Sequence, residues 1–142
     1  IDGYFEYVVP PLEGFWWQEG IDGIDYSCKD TFRWISVIRL PDFVSKEDFD
    51  WAVSEVARKK KIDCSKAEFL TIEEGLCVQI MHIGPFDEEP VSVALMDEFI
   101  EQKGYVNDIT DERLHHEIYL SDARKVSPDK YRTVIRHPIR KK

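Results

Sequence analysis

Apolar and polar residues alternate most clearly in the stretch LHHEIYL, residues 114–120. Successive side chains of a strand point to opposite faces, so the two leucines, Ile118 and His116 fall on one face, which is predicted to be the core side. The other face carries an imidazole, a carboxylate and a phenol, from His115, Glu117 and Tyr119. These are ordinary surface residues if that face meets solvent, but they form a binding or catalytic site if it is covered.

The second half of the chain predicts a strand, a helix and two further strands. Residues 76–83 are almost continuously apolar, which is typical of a strand buried on both faces. A helix is predicted over 90–103, because Pro90 suits a first turn and Gly104 suits a helix end. Strands over 114–121 and 131–137 follow, and all three strands are expected in one antiparallel sheet.

In the first half, the aromatic and β-branched run GYFEYVV, residues 3–9, predicts a strand that ends at two prolines. A second strand is predicted over 32–40. A helix follows Ser45, which pairs with Asp48 in the pattern of a capping box, and its apolar residues predict a buried stripe.

Two segments of the chain resemble each other. SVIRLP at 36–41 matches TVIRHP at 133–138, and residues 4–9 then align with 115–120, which places Glu6 on Glu117. The chain is therefore predicted to be α+β, one domain over 1–142, with two pseudo-symmetric βαββ repeats. Residues 1–41 form the remainder of a first repeat, 42–66 a connecting helix and 67–142 the second repeat. The first repeat has no strand and helix before its hairpin, and the chain starts without Met, so we expect them to have been removed.

Composition limits the kinds of partner. A formal net charge of −9 argues against binding to nucleic-acid phosphates, and the basic run 136–142 is predicted to be a solvated tail. No apolar run reaches the length of a membrane span, and no signal peptide is visible. Three cysteines without CxxC spacing fit a reducing cytoplasm.

The candidate chemistry centres on Glu117. In an apolar aromatic groove its pKa is expected to rise, and it could neutralise a cationic ligand or act as acid or base on water. Tyr119, on the same face, could orient a ligand or donate a proton. The predicted ligand-binding residues are Trp17, Trp34, Tyr4, Glu6 and His115, and each has packing or plain exposure as its alternative.

Other chemistries find little support in the spacing of residues. His82, His115 and His116 do not have the spacing of a zinc site, and we predict no metal and no cofactor. Patterns typical of a nucleophile elbow, a Ser-His-Asp triad or a phosphate-binding loop are absent from the sequence.

Three segments together resemble GyrI-like small-molecule-binding domains: PLEGFW at 11–16, MHIGPFDEEP at 81–90 and HEIYLSDARK at 116–125. The resemblance covers essentially the whole chain. It implies a SOUL-like fold of two βαββ repeats about a pseudo-two-fold axis, with a ligand groove between them. In ligand-sensing members of the family, a Glu on the strand that matches Glu117 faces that groove.

The family resemblance also implies several functions. Members include effector-binding domains of multidrug-sensing transcription regulators, and a stand-alone branch that hydrolyses cyclopropane-containing DNA-alkylating toxins, to which this chain is most similar. The function therefore lies between a small-molecule binder, a cytoplasmic detoxifying hydrolase and an acidic protein-partner binder of the gyrase-inhibitor kind. Glu117 and Tyr119 are the predicted catalytic residues in the hydrolase. A dimer through an exposed first half is a further expectation.

Overall fold

The computed structural model describes residues 1–21 and 24–142. Within these residues the chain forms six strands and two α-helices: β1 (Glu13–Gln18), β2 (Phe32–Val37), α1 (Lys46–Lys60), β3 (Cys77–Ile83), α2 (Glu89–Gln102), β4 (Tyr105–Asn107), β5 (His115–Tyr119) and β6 (Arg132–Lys141). Short 3-10 turns occur at 29–31, 86–88 and 128–130. The predicted α+β class is confirmed.

The strands form an antiparallel sheet in the order β2-β1-β5-β6-β3, and β4 pairs with the far end of β6. Strand β6 is ten residues long and pairs with three other strands, so it is the centre of this half of the molecule. Its Thr133 and Ile135 are almost completely buried. These two side chains mark where the core of the sheet lies.

The second half was predicted well in its elements. Strands β3, β5 and β6 and helix α2 lie where the alternation and the proline and glycine signals placed them. Burial of β3 on both faces was wrong, because the face that carries Gln79, Met81 and Ile83 is exposed. Strand β3 is also an edge strand, with β6 as its one partner in the sheet order. Among the described residues of β3 only His82 is fully buried, and Met81 and Ile83 are exposed.

The C-terminal segment is not a solvated tail. Strand β6 continues to Lys141, and His137, Pro138 and Ile139 are buried in it. The added length pairs with β4, for which the sequence analysis predicted no strand. The basic side chains of this run misled the prediction, since they flank three consecutive buried residues of the strand, His137, Pro138 and Ile139.

The first half differs most from expectation. Residues 3–9 form no strand; Tyr4, Phe5 and Tyr7 instead pack edge-on around Phe43, with ring centroids 5.2–5.8 Å apart. The first strand comes after the two prolines and pairs with β2, with Trp16 opposite Trp34. The alignment of Glu6 with Glu117 therefore fails, and a pseudo-two-fold repeat is not confirmed.

The chain divides into two compact units, residues 1–9 with 39–73 and residues 10–38 with 74–142. The first unit contains α1, whose Ser45 and Asp48 form the predicted reciprocal capping box. The described residues of α1 are at most half-buried, so the predicted buried stripe is wrong. The domain and repeat boundaries proposed from the sequence stay a prediction. The whole sheet and α2 belong to the second unit, and the candidate site lies there.

Candidate functional site

One face of the sheet gathers the chemically interesting side chains. Residues paired directly across antiparallel strands share a face, and alternate residues along a strand do so too. By this register the following residues lie on one face, called here the site face: Trp34, Trp16, Gly14, His115, Glu117, Tyr119, Thr133, Ile135, His137, Ile80 and His82. Helix α2 packs against this face, since the Ser92 hydroxyl hydrogen-bonds to His82 Nδ1 at 2.8 Å.

Two carboxyl groups meet beneath the first turn of α2. Glu117 on β5 is 7% exposed and Glu89, the first residue of α2, is 3% exposed. Burial raises the pKa of Glu89, and the charge of Glu117 and a hydrogen bond to it raise that pKa further. Burial also acts to raise the pKa of Glu117, but hydrogen bonds from His115 and from Glu89 outweigh burial and lower that pKa.

The carboxyl pair therefore holds one proton, on Glu89, and one negative charge, on Glu117. Two adjacent buried carboxylates cannot both ionise cheaply, so their environments separate the two pKa values. The expected rise in the pKa of Glu117 was wrong, because the rise falls on Glu89. The arrangement supplies a base and an acid within one hydrogen bond of each other.

Two histidines and an asparagine continue from Glu117. His115 Nε2 lies 2.9 Å from Glu117 Oε2, and His115 Nδ1 lies 2.6 Å from His137 Nε2. Asn107 Nδ2 lies 3.3 Å from His137 Nδ1. Both imidazoles are 2% exposed, and burial together with the neighbouring His115 lowers the pKa of His137 to about 3. His137 is thus neutral near pH 7.

Glu89, His115 and Glu117 each offer an oxygen or nitrogen within 4.8 Å of the others. Carboxylate and imidazole are donors that zinc and similar cations accept, so these three residues could hold an ion. A proton shared by the two carboxyls balances the same charge without an ion. The prediction that no metal binds stays a prediction.

An aromatic row leads from the surface to the carboxyl pair. It consists of Trp34, Trp16, Tyr119 and Phe86. Trp34 is 58% exposed and stacks on Trp16 at 5.3 Å, and Trp16 Nε1 donates to the Tyr119 hydroxyl at 2.9 Å. Phe86 meets the Tyr119 ring edge-on at 6.0 Å. A flat ligand stacked along this row would bring its end near Glu117.

Gly14 and Tyr26 shape the same region. A Cβ at Gly14 would lie 2.8 Å from Trp16 Nε1 and 3.0 Å from the Tyr119 hydroxyl, so a side chain there would disturb their hydrogen bond. The Tyr26 hydroxyl and Glu89 Oε1 are buried without a hydrogen-bond partner among the described residues. Burial and the nearby carboxyl pair raise the pKa of Tyr26, so this phenol is a neutral donor. These unpaired polar atoms can bind the polar end of a ligand.

The residues predicted from sequence separate into three groups. Glu117, Tyr119, His115 and Trp34 come together on the site face. Trp17 is half-buried on the opposite face of β1. Exposed Tyr4 and Glu6 lie outside the sheet, in the first unit, and the alignment that suggested them is not supported. Their roles, like those of the first group, stay predictions.

The opposite face of the sheet was expected to be an apolar core, yet its centre is ionic. His116 is 2% exposed, and each of its ring nitrogens lies 2.6 Å from a carboxylate oxygen, of Glu13 and of Glu74. The Phe15 ring stacks on the imidazole at 4.1 Å, while Arg136 bonds the second oxygen of Glu74 at 2.8 Å. Leu120, predicted to be in the core, is 45% exposed.

Sequence reasoning missed several residues of the site: Glu89, His137, Asn107 and Tyr26. Glu89 stands inside the segment 81–90, directly before the proline that marks the helix start. A Glu in a first helical turn is ordinary, because it complements the helix dipole. That it faces Glu117 follows only from how α2 packs on the sheet.

Replacing Glu89 by Gln should stabilise the protein near pH 7 by at most about 3 kcal/mol. Folding raises the pKa of Glu89 above its ordinary value of 4.5. At pH 7 the folded protein therefore has to bind a proton that the unfolded chain does not carry, and this lowers its stability. The contribution of Glu89 to the free energy of unfolding is greatest below pH 4.5 and declines as the pH rises toward the pKa of Glu89 in the folded protein. Gln keeps the neutral shape and needs no proton. Urea unfolding at pH 8 and pH 5 measures the difference.

The gain from Glu89→Gln should be larger at pH 8 than at pH 5, where wild-type Glu89 is protonated more easily in both states. The exposed Glu101 at the other end of α2 provides the control, and Glu101→Gln should change stability at neither pH. If Glu89→Gln instead lost the same amount of stability at both pH values, Glu89 would be ionised in the folded protein and would not carry the proton of the carboxyl pair.

Comparison with known proteins decides the family. The family model of the GyrI-like small molecule binding domain matches residues 2–140. The chain belongs to this GyrI-like family. A search of curated proteins finds no significant match. Among the described residues, no helix has the length and apolar character needed to span a membrane.

Solved structures give the same fold. A crystal structure of an uncharacterised conserved protein from Listeria innocua is 48% identical with a TM-score of 0.89, covering 98% of this chain and 68% of its own. A hydrolase from the same organism is 45% identical with a TM-score of 0.86, covering 98% and 66%. Another Listeria innocua hydrolase is 50% identical with a TM-score of 0.84, covering 98% and 67%. The chain thus spans about two thirds of the length of each.

Proposed function

We propose that this GyrI-like domain binds amphipathic, partly aromatic small molecules on the site face and hydrolyses them by adding water. One observation carries the proposal: a buried base, Glu117, and a buried acid, Glu89, lie beside an aromatic row that reaches the surface at Trp34. Binding needs only the aromatic row. Hydrolysis by acid–base catalysis requires, in addition, two carboxyl groups whose pKa values are separated.

The substrate class we propose is a cyclopropane fused to a conjugated carbonyl, as in DNA-alkylating toxins. A water oxygen attacks a ring carbon while Glu117 accepts a proton from that water. The ring C–C bond breaks, and its electron pair moves through the conjugated system to the carbonyl oxygen. Glu89 supplies the proton for that oxygen, with Tyr119 as the second donor on the same face. Transfer of the proton from Glu117 back to Glu89 restores the pair.

The relatives support hydrolysis. Two Listeria innocua proteins at 45% and 50% identity are described as hydrolases, and both cover 98% of this chain. The strain of a three-membered ring lowers the barrier to opening, so a placed water, a base and a proton donor suffice for turnover. The ring system of such a toxin is flat and aromatic, which matches stacking on Trp34 and Trp16.

A binder without turnover is the second candidate. Its specific support is the negative charge of Glu117 beside aromatic rings, a combination that attracts organic cations. Such a protein would saturate with ligand and return it unchanged. An effector-binding or sequestering role would follow from that behaviour.

The deciding experiment incubates the protein with a cyclopropane-bearing alkylator whose ring is conjugated to a carbonyl. Mass spectrometry should show a product heavier by one water, formed over many turnovers per protein. In ¹⁸O-labelled water the label should appear in the product, on the carbon that water attacked. Saturable binding with the ligand recovered intact would reject the hydrolase and favour the binder.

Replacing Trp34 by Ala should weaken binding of an aromatic ligand about two- to twelvefold, since one stacked aromatic pair contributes roughly 0.5–1.5 kcal/mol. Trp34 is 58% exposed, so stability should change little. The matched control is Trp51→Ala, which removes a 67% exposed tryptophan from α1 in the first unit. Calorimetric titration with the same ligand compares them. Equal affinity of wild type and Trp34→Ala would remove Trp34 from the site.

A further inference from the structure

The amide of Asn107 has a fixed orientation. Its Oδ1 accepts a hydrogen bond from the backbone N–H of Ile109 at 2.9 Å, so the oxygen end is already assigned. The amide nitrogen must then be the atom that faces His137 Nδ1, at 3.3 Å. A primary amide nitrogen only donates, and therefore His137 Nδ1 accepts.

This orientation determines the protons on both imidazoles. A neutral histidine that accepts at Nδ1 carries its proton on Nε2, so His137 donates to His115 Nδ1, 2.6 Å away. His115 then carries its own proton on Nε2 and donates it to Glu117 Oε2 at 2.9 Å. Four hydrogen bonds thus run in one direction, from the Ile109 amide to the Glu117 carboxylate.

The opposite direction would be costly at the carboxylate. If His137 carried its proton on Nδ1, it would point that proton at the Asn107 amide hydrogens, and a neutral His115 would turn a lone pair toward Glu117. Both imidazoles are 2% exposed, so water cannot repair an acceptor facing an acceptor there. The direction of the chain therefore decides whether Glu117 Oε2 receives a donor.

We propose that Asn107, His137 and His115 are positioning residues that hold Glu117 as an oriented, ionised acceptor. His115 binds one oxygen of the carboxyl group and fixes its plane, while Asn107 sets the tautomers from outside the site. None of the three needs to touch the ligand for this role. The catalytic consequence rests on the proposed function, but the tautomers and the state of Glu117 are properties of the protein alone.

The test is nuclear magnetic resonance of the intact protein labelled at histidine nitrogens and glutamate carboxyls. In the wild type, long-range ¹H–¹⁵N correlations should show the Nε2–H tautomer for both His137 and His115. A Nδ1–H tautomer at either residue would overturn the proposal with no variant needed.

The Asn107→Asp variant tests whether residue 107 sets the tautomers of His137 and His115. Asp has nearly the same shape and can still accept from Ile109, but it presents an oxygen to His137 Nδ1. His137 should therefore acquire a proton on Nδ1, and the donated bond to Glu117 should weaken. The carboxyl ¹³C titration should then show a higher pKa for Glu117. The titratable groups around Glu117 are Glu89 on α2, Tyr26, and His82, His115 and Tyr119 on the site face.

A control separates this effect from the added charge. Gln79 lies on β3 and accepts from Arg136 on the opposite face of the sheet, so Gln79→Glu adds the same charge away from the chain of hydrogen bonds. It should leave both tautomers and the Glu117 titration as in the wild type. Unchanged tautomers or an unchanged Glu117 titration in Asn107→Asp would overturn the proposal.

Turnover distinguishes the two proposals. If the protein hydrolyses its substrate, Asn107→Asp should lower kcat at least about tenfold with KM nearly unchanged, because the carboxylate and not the aromatic row is disturbed. A protein with no turnover, but with the tautomers and the shifted Glu117 titration described above, would reject the hydrolase and retain the positioning role. Normal kcat in a variant with reversed tautomers would reject that role.

Discussion

Glu117→Gln should lower turnover of a cyclopropane-bearing substrate by about a hundredfold or more, while affinity for the ligand changes little. Gln keeps the shape of the side chain and still accepts from His115, but it cannot take a proton from water. The aromatic row from Trp34 to Tyr119 is untouched, so stacking should persist. Steady-state kinetics and calorimetric titration on the same preparation separate the two effects.

The pH profile should have two limbs set by the carboxyl pair. Activity should fall at low pH as Glu117 is protonated, below the ordinary value of 4.5 because its pKa is lowered. It should fall at high pH as Glu89, whose pKa is raised, loses the proton it donates. Glu101→Gln on α2 is the control and should keep wild-type kcat. Full turnover in Glu117→Gln would show that another group is the base.

His116→Leu should destabilise the folded protein by about 3–5 kcal/mol, the usual effect of removing one partner from a buried ionic network. Both nitrogens of His116 lie 2.6 Å from carboxylate oxygens, and an imidazole donates from both only as the cation. Leucine keeps an apolar contact for Phe15 but removes the His116 donor, so Glu13 loses its partner and Glu74 keeps Arg136 alone. Urea or guanidinium unfolding at pH 7 measures the loss.

A double-mutant cycle locates the origin of that loss. Glu13→Gln in the His116→Leu background should recover part of the stability, since it removes the unpaired charge, while Glu74 retains Arg136. An exposed pair supplies the control: Lys29→Gln breaks a contact to Asp87 and should cost no more than about 1 kcal/mol. If His116→Leu unfolds at the same denaturant concentration as the wild type, the network contributes nothing.

The second half of the fold could be predicted because local signals agree there. Alternation in β5 and β6, Pro90 and Gly104 around α2, and a strongly apolar β3 all point to the same elements. The same alternation placed Glu117, His115 and Tyr119 on one face. Four of the predicted site residues meet there because a strand transmits its period directly into geometry.

The first strand could not be located from the periodicity of apolar residues alone. Two aromatic segments flank Pro10 and Pro11, and each has the composition of a strand. Pairing across 103 residues selected the second, since Trp16 bonds Tyr119 on β5. Residues 4–7 instead found Phe43 as a packing partner. Which of the two aromatic segments forms the strand depends on contacts with residues distant in sequence. The local sequence of a segment does not contain that information.

The pKa shifts in the site also could not be predicted from the sequence. The direction of the Glu117 pKa depends on His115 beside it and on Glu89 opposite, and Glu89 arrives only when α2 packs on the sheet. Asn107 belongs to β4, a three-residue strand too short to show any period. Its position next to His137 follows from the pairing of β4 with the end of β6.

The ionic network around His116 has a consequence for folding kinetics. It joins Glu13, Glu74 and Arg136 to β5, over sequence separations of 103 residues between Glu13 and His116 and 62 between Glu74 and Arg136. Closing contacts between residues this distant in sequence costs loop-closure entropy, so we expect them to form late in folding. Interactions formed after the transition state slow unfolding without speeding folding. We therefore expect the network to lengthen the lifetime of the folded sheet that carries the carboxyl pair, by slowing unfolding.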